Sequence, residues 1–127
     1  MYTINEVARL CDLTAHTLRY YDKEGLLPFV SRTPSGNRAF SERDVEMVRL
    51  ICCLKDTGMP IKEIRAYIEL CMIGPDTIAP RKRMMTEHRQ EVERQIEALN
   101  NNLKLIDRKI DFYDSDEARH AVLSRHH

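Results

Sequence analysis

Residues 3–25 read TINEVARLCDLTAHTLRYYDKEG, and their pattern predicts two short helices. The first part of this stretch is predicted to form a helix over residues 3–11, because apolar side chains recur there at the three- and four-residue spacing of one helix face. Thr3 can accept a hydrogen bond from the backbone at the start of this helix, and Glu6 stands where a capping-box partner lies. A second short helix is predicted over residues 15–24.

Both ends of the second helix are marked by residues with a clear local preference. Thr14 precedes it as a cap, and Gly25 follows it, where glycine can take the left-handed conformation that ends many helices. Asp12 occupies the turn between the helices, and aspartate tolerates left-handed geometry better than most residues. Two short helices joined by about three residues form the helix-turn-helix pattern.

A small hairpin, or wing, is predicted within residues 26–40. The run Pro34-Ser35-Gly36-Asn37 is a strong turn signal, because each of these residue types favours reversal of the chain. The segments on either side of it, Phe29–Arg32 and Arg38–Phe40, are predicted to be the two strands.

Two more helices follow the wing. Ser41 caps the third helix, which is predicted to run to Thr57 and to stop at Gly58. Pro60 fits the first turn of a fourth helix over residues 60–72. The apolar stripe of this fourth helix consists of Ile61, Ile64, Ile68 and Cys71.

The last predicted helix runs from about Ala79 to Tyr113 and carries a regular apolar seam. The seam residues alternate at spacings of four and three, which is the pattern of a coiled coil. A helix with so narrow an apolar stripe needs a partner helix, so we predict a homodimer. Packing of the helix on its own domain is the alternative. The seam residues are Val92, Ile96, Leu99, Leu103, Ile106, Ile110 and Tyr113.

These elements predict a mostly α protein in three parts. The parts are a winged helix-turn-helix domain over residues 1–75, a coiled-coil dimerisation helix over residues 76–114 and a polar tail over residues 115–127.

Composition narrows the functional class. The chain has 127 residues, of which 43% are hydrophobic and 31% charged. No apolar run is long enough to span a membrane, and the N-terminus lacks the features of a signal peptide, so we expect a cytoplasmic protein. Its four cysteines should then be thiols rather than disulfides. Because the formal net charge is zero, any binding of nucleic acid has to come from a local arrangement of charge.

The outer face of the second helix is the first such arrangement. His16, Arg19, Tyr20 and Lys23 recur at the spacing of one helix face, and these residue types can read base edges and bind phosphates in a major groove. An ordinary solvated face is the alternative.

The wing and the fourth helix offer further basic residues. Arg32 and Arg38 flank the turn of the wing, a position that suits phosphate or minor-groove contacts. Lys62 lies beside the free backbone amides at the start of the fourth helix, which suit a second anion site. The alternatives are a plain hairpin tip and a solvated lysine.

Four motifs resemble the MerR family of bacterial transcription regulators in order and spacing. They are Thr3-Ile4-x-Glu6-Val7-Ala8, the stretch Thr17–Leu27, Gly36-Asn37-Arg38-x-Phe40, and Gly58-Met59-Pro60-Ile61-x-Glu63-Ile64. The resemblance spans about residues 3–113. It implies an antiparallel coiled-coil dimer that acts on double-stranded promoter DNA. In that family the activated dimer bends and untwists the promoter spacer, so that RNA polymerase can engage.

Three segments resemble the NmlR/AdhR-like branch of this family, which responds to reactive aldehydes and thiol-modifying electrophiles. They are Leu27-Pro28-Phe29, Cys53–Ile61, and His88-Arg89-x-x-Val92 continuing to Ile106-Asp107-x-Lys109-Ile110. With this resemblance, the predicted DNA contacts are His16, Thr17, Arg19, Tyr20, Tyr21, Lys23, Arg32, Asn37, Arg38 and Lys62. Tyr21 could equally be a core residue.

The cysteines separate on a helical wheel of the third helix. Cys52 shares the core face and Cys53 lies on the opposite side, near Arg49 and Glu46. We therefore predict that Cys52 and Cys71 are small core residues, whereas Cys53 is the sensing thiol that the family branch implies. Arg49 lies one turn from Cys53 and would favour a reactive thiol there, whereas the charge of Glu46 would oppose this.

Two other functions stay open. One is a metal-responsive regulator of the same fold, which would use Cys53 with a His or Cys of its partner. The other is a helical interaction protein that does not bind DNA, and the placement of Arg19 and Arg38 on different surfaces would favour it. No catalytic arrangement, cofactor site or metal site is predicted.

Overall fold

The computed structural model describes residues 1–120, and the chain forms two compact units, Met1–Thr86 and Glu87–His127. The helices are α1 (Ile4–Leu10), α2 (Ala15–Lys23), α3 (Glu42–Asp56), α4 (Ile61–Ile73), α5 (Ile78–Asp114) and α6 (Asp116–His120). Two short antiparallel strands, β1 (Ser31–Arg32) and β2 (Arg38–Ala39), form the wing, and a 3-10 turn (Pro75–Thr77) precedes α5. The predicted fold class, mostly α with a winged helix-turn-helix and a long C-terminal helix, is confirmed.

The caps predicted for the first two helices are present. Thr3 Oγ1 accepts a hydrogen bond from the Glu6 N–H at 3.2 Å, and Glu6 Oε1 accepts one from the Thr3 N–H at 2.9 Å. Thr14 Oγ1 likewise accepts from the Thr17 N–H at 3.0 Å. Asp12 has a φ of 54°, the left-handed conformation predicted for the turn. These bonds satisfy backbone donors that have no partner inside the first turn of a helix.

The wing is shorter than the predicted strands Phe29–Arg32 and Arg38–Phe40. The cause is a competing partner for the end of the second strand, because Phe40 pairs with Tyr2. The Tyr2 N–H donates to Phe40 O at 2.7 Å, and the Phe40 N–H donates to Tyr2 O at 2.9 Å. This bridge fixes the base of the wing to the segment that leads into α1.

One hydrophobic core joins the elements of the first unit. Its largest fully buried side chains are Val7, Leu18, Leu26, Phe40, Val48, Ile51, Ile64 and Ile68. They come from α1, α2, the loop after α2, the end of the wing, α3 and α4, so the helix-turn-helix and the wing share a single core with the helices that follow. Burial of this apolar surface is the main term that stabilises the unit.

Arg65 of α4 holds the C-terminal end of α2. Its Nε donates to the backbone oxygen of Glu24 at 2.7 Å, and its guanidinium lies 3.3 Å from the Glu24 carboxylate. A helix end leaves carbonyl groups without partners, and this guanidinium supplies one. Gly25, with a φ of +78°, lies so close that an added Cβ would come within 3.4 Å of Arg65 Nε.

Cys71 is not the core residue that the sequence predicts. It is half-buried near the end of α4, where Arg81 Nη1 lies 3.9 Å from its sulfur. Arg81 also donates to Gly74 O and to Thr77 Oγ1, each at 3.0 Å. The prediction is wrong because the Cys71 sulfur lies beside the Arg81 guanidinium instead of packing against the apolar core.

The second unit contains most of α5 and the whole of α6. The seam residues from Ile96 to Tyr113 are each more than half exposed in the single chain, and Val92 is half-buried. The first residues of the predicted polar tail 115–127 form α6, and residues 121–127 lie outside the described range.

Candidate nucleic-acid interface

The outer face of α2 carries the predicted basic and aromatic residues. His16, Arg19, Tyr20 and Lys23 are all exposed. Thr17 differs from them, because it is half-buried and its hydroxyl lies 3.0 Å from that of Thr14. Thr17 therefore contributes to the cap of α2 in addition to any contact it makes outside the chain.

The ring of Tyr21 belongs to the core. Only 4% of the residue is exposed, and this burial raises the pKa of its hydroxyl, with the nearby Cys52 and Asp56 adding to the rise. The core interpretation of Tyr21 is thus the one that its burial favours. The DNA contact predicted for Tyr21 stays a prediction.

An ion-pair cluster connects α2 to the wing, where Arg32 and Arg38 lie opposite each other on β1 and β2. Asp22 Oδ2 accepts from Arg38 Nε at 2.7 Å and lies 2.7 Å from Arg38 Nη2. The same oxygen accepts from Arg32 Nη2 at 3.2 Å, and Arg32 Nη1 donates to Gly36 O at 3.1 Å. One carboxylate therefore holds both wing arginines.

An open cleft of about 630 Å³ lies between the start of the chain, α2 and the wing. Arg19 lines it from α2, and Asn37 and Arg38 line it from the wing. The cleft brings together predicted contacts from two separate elements on one surface. It does not include Lys62, which is exposed in the first turn of α4.

The thiols of α3 differ as predicted. Cys53 is exposed, whereas Cys52 is half-buried and packs against the core. Burial raises the pKa of the Cys52 thiol to about 11, and the nearby Cys11 and Asp56 add to the rise. Burial also raises the pKa of Cys11, although Arg49 opposes it. Cys53 is therefore the accessible thiol of this helix.

Neither a metal-binding group of side chains nor a membrane-spanning helix is present among residues 1–120. No three His, Cys, Asp or Glu side chains in this range meet in a group that could hold a metal ion. No helix in the same range is long and apolar enough to cross a membrane.

Known protein families match this chain along most of its length. A model of the MerR HTH family regulatory proteins matches residues 2–71, and a model described as MerR, DNA binding, matches residues 45–109. The chain belongs to the MerR family.

Individual relatives agree with this assignment. An uncharacterized HTH-type transcriptional regulator of Haemophilus influenzae is 40% identical over 121 residues, covering 95% of this chain and 90% of the relative. The HTH-type transcriptional regulator AdhR of Bacillus subtilis is 37% identical over 89 residues, covering 70% of this chain and 64% of AdhR. The crystal structure of HiNmlR, a MerR family regulator lacking the sensor domain and bound to promoter DNA, superposes with a TM-score of 0.84 at 40% identity, covering 95% of this chain and 96% of HiNmlR.

This MerR-family chain is a DNA-binding transcription regulator, and its relatives are transcriptional regulators rather than enzymes. The predicted resemblance to NmlR and AdhR is confirmed. Sequence reasoning missed Asp22, although one signal was available. An acidic side chain beside a basic helix face can pair with a cation from elsewhere in the fold, and the predicted wing carries two arginines.

The difference between the two adjacent thiols of α3 leads to a chemical prediction. Iodoacetamide at pH 8 should alkylate Cys53 well before Cys52, because a pKa of about 11 leaves roughly one Cys52 thiol in a thousand ionised at that pH. The label can be assigned by fragment-ion mass spectrometry of the tryptic peptide that holds both residues. Raising the pH toward 11 should narrow the difference. Equal labelling of Cys52 and Cys53 at pH 8 would contradict the assignment, and Cys53→Ser is the control.

Proposed function

We propose that this MerR-family regulator binds promoter DNA in the cytoplasm as a homodimer, and that it changes transcription when an aldehyde or another electrophile modifies Cys53. In this proposal α2 enters the major groove, the wing contacts the DNA backbone and the adjacent minor groove, and RNA polymerase acts at the remodelled promoter. The observation that carries the DNA-binding mode is the cleft that Arg19 and Arg38 share. HiNmlR, its 40% identical structural neighbour, was crystallised on promoter DNA, which supports the proposal.

The proposed DNA contacts divide into two kinds. Arg19 and Tyr20 on the exposed face of α2 are suited to base edges, because a helix fits the major groove and an arginine can pair with guanine through two hydrogen bonds. Arg32, Asn37 and Arg38 on the wing are suited to phosphates, which position a protein without reading sequence. Lys62 and the first amides of α4 form a further site for phosphate, since a helix N-terminus attracts anions.

The charge balance of the chain affects how this binding would depend on salt. Because the net charge is zero, the attraction to DNA would come from the few basic residues of this surface. Each phosphate contact that releases counterions steepens the salt dependence. We therefore expect the salt dependence to follow the number of these phosphate contacts in the proposed homodimer rather than the net charge.

The exposed seam of α5 supports the homodimer. Its residues from Ile96 to Tyr113 leave more apolar surface in contact with water than a stable single helix would keep. Their four-three alternation matches the packing of two helices with knobs in holes. A second copy of α5 would cover the seam and would also place two DNA-binding units on one molecule.

The exposure of Cys53 supports the proposed sensing step. A thiolate attacks the carbonyl carbon or another electrophilic carbon, so the thiol has to be reachable from solvent. Cys52, with its raised pKa, and Cys11, which is half-buried, fit this role less well.

The first prediction from this proposal concerns DNA affinity. Arg19→Ala and Arg38→Ala should each weaken binding to the cognate promoter by roughly 1–3 kcal/mol, because each removes a groove or phosphate contact. Lys62→Ala should weaken binding to all duplexes alike and flatten the salt dependence. Fluorescence anisotropy on DNA recovered with the purified protein measures these effects. If Arg19→Ala and Arg38→Ala both bind like the parent protein, the proposed surface is wrong.

A second prediction concerns assembly. The double variant Leu99→Asp and Leu103→Asp should be a monomer that loses operator binding, because two buried carboxylates per helix cannot be accommodated in an apolar seam. Light scattering gives the mass directly. Leu105→Asp, at an exposed position outside the seam, is the matched control and should stay dimeric. An intact dimer in the double variant would refute the proposal that the seam forms the dimer interface.

A third prediction concerns the inducing signal. Transcription from the cognate promoter in vitro should rise with methylglyoxal for the parent protein but not for Cys53→Ser, because serine cannot form the thiolate adduct. Cys52→Ser should respond like the parent protein. Equal induction of the parent protein and Cys53→Ser would exclude this thiol as the sensor.

A further inference from the structure

Asp22 has a role that the DNA-binding surface by itself does not explain. It lies on α2 between the exposed Arg19 and Lys23, where a carboxylate would repel the phosphates of a bound duplex. The contacts of the Asp22 side chain indicate what offsets this repulsion. Its side chain is only 23% exposed and faces the wing, where two guanidinium groups converge on a single oxygen.

The two arginines are held to different degrees. Arg38 contacts Asp22 Oδ2 through both Nε and Nη2 at 2.7 Å, and its side chain is 21% exposed. Arg32 contacts the same oxygen at 3.2 Å, and its side chain is 54% exposed. Charge-assisted bonds of 2.7 Å are short and strong, so the carboxylate fixes Arg38 more firmly than Arg32.

The contacts leave each guanidinium able to bind DNA. An arginine has five N–H donors in a rigid plane. Arg38 directs one edge, Nε and Nη2, at Asp22 and keeps Nη1 for another partner. The cluster of Asp22, Arg32 and Arg38 has a net charge of +1, so it still attracts a phosphate.

The cluster also spans the whole wing. Arg32 continues from Asp22 to the backbone oxygen of Gly36 in the turn, at 3.1 Å. Asp22 is therefore joined to β1, β2 and, through Arg32, to the tip of the hairpin. A two-stranded hairpin of this size has little stability of its own, so an ion-pair cluster on the adjacent helix has a large influence on its position.

We propose that Asp22 is a positioning residue for DNA recognition, which sets the distance and angle between α2 and the wing so that both meet the operator in register. The inference rests on the proposed contact of the wing arginines with DNA. In this role Asp22 contacts no DNA. It selects the operator over other sequences, because a duplex is bound tightly only when the base contacts of α2 and the phosphate contacts of the wing form together.

The alternative role, in which Asp22 competes with DNA for the arginines, predicts the opposite change in DNA affinity, so the two roles can be distinguished. If Asp22 only competed with phosphates for the two arginines, its neutralisation would strengthen binding to every duplex. If it positions the wing, Asp22→Asn should weaken operator binding although the protein has lost a negative charge near the DNA. Asn keeps the shape of the side chain but loses the charge that fixes Arg38.

The experiment measures the dissociation constants of the parent protein, Asp22→Asn and Glu69→Gln. Each is measured on the duplex that the parent protein enriches from a random library and on a scrambled duplex of equal length. Asp22→Asn should bind the enriched duplex roughly five- to a hundredfold more weakly, the range for the loss of one arginine contact. Its affinity for the scrambled duplex should be unchanged or higher. Glu69→Gln removes an equal charge from the exposed face of α4 and should leave the ratio of the two affinities unchanged.

Two further measurements separate positioning from a loss of folding. Asp22→Asn should add little to Arg38→Ala in a double-mutant cycle, because the shorter contact of Asp22, and in this proposal the decisive one, is with Arg38. Asp22→Glu keeps the carboxylate with a longer reach and should recover part of the operator affinity, and this variant also decides the question if Asp22→Asn unfolds at the assay temperature. Equal or tighter operator binding by Asp22→Asn, or additive effects in the cycle, overturns the proposal. A parent protein that enriches no duplex instead refutes the proposed DNA-binding function.

Discussion

Burial of Leu18 and Tyr21 fixes the rotation of α2 about its own axis, and this rotation decides which residues the proposed DNA-binding surface presents. These residues are three apart and almost completely covered, so the residues between and around them have to point outward. Arg19 and Tyr20 are exposed for this reason. The same core holds Phe40 at the end of the wing, which places the wing beside α2. The exposure of the residues proposed to contact DNA is therefore a consequence of packing in the core.

The sequence predicted the features that depend on residues close together in the chain. Helix caps, the left-handed turn at Asp12 and the periodicity of the seam each involve residues no more than a few positions apart. Their physical preferences act whatever the rest of the chain does. The sequence could not predict contacts between residues that are far apart in the chain. The contacts of Asp22 with Arg38, of Arg65 with Glu24 and of Tyr2 with Phe40 join residues that are distant in sequence, and no periodicity reports which partner each will find.

The errors in prediction have the same origin. The wing strands were expected to be longer because alternation along the chain cannot reveal that Phe40 bonds to Tyr2. Cys71 was expected in the core because its spacing in α4 matches Ile64 and Ile68, but spacing does not reveal the guanidinium of Arg81 beside it. The prediction that separated Cys52 from Cys53 was more secure, since adjacent helical residues point in different directions whatever packs around them.

The exposure of Cys53 connects the two parts of the proposed function. An adduct on this side chain would leave the core of the first unit largely unchanged, because the sulfur lies outside it and its buried neighbour Leu54 faces the other way. A modification that does not disturb its own domain can alter transcription only by changing a contact with something outside that domain. In the proposed homodimer the partner subunit is the nearest candidate, since two DNA-binding units in one dimer would have a relative spacing that an added group can shift. If the proposed sensing through Cys53 acts by this route, a monomeric form would react with the electrophile without transmitting the change.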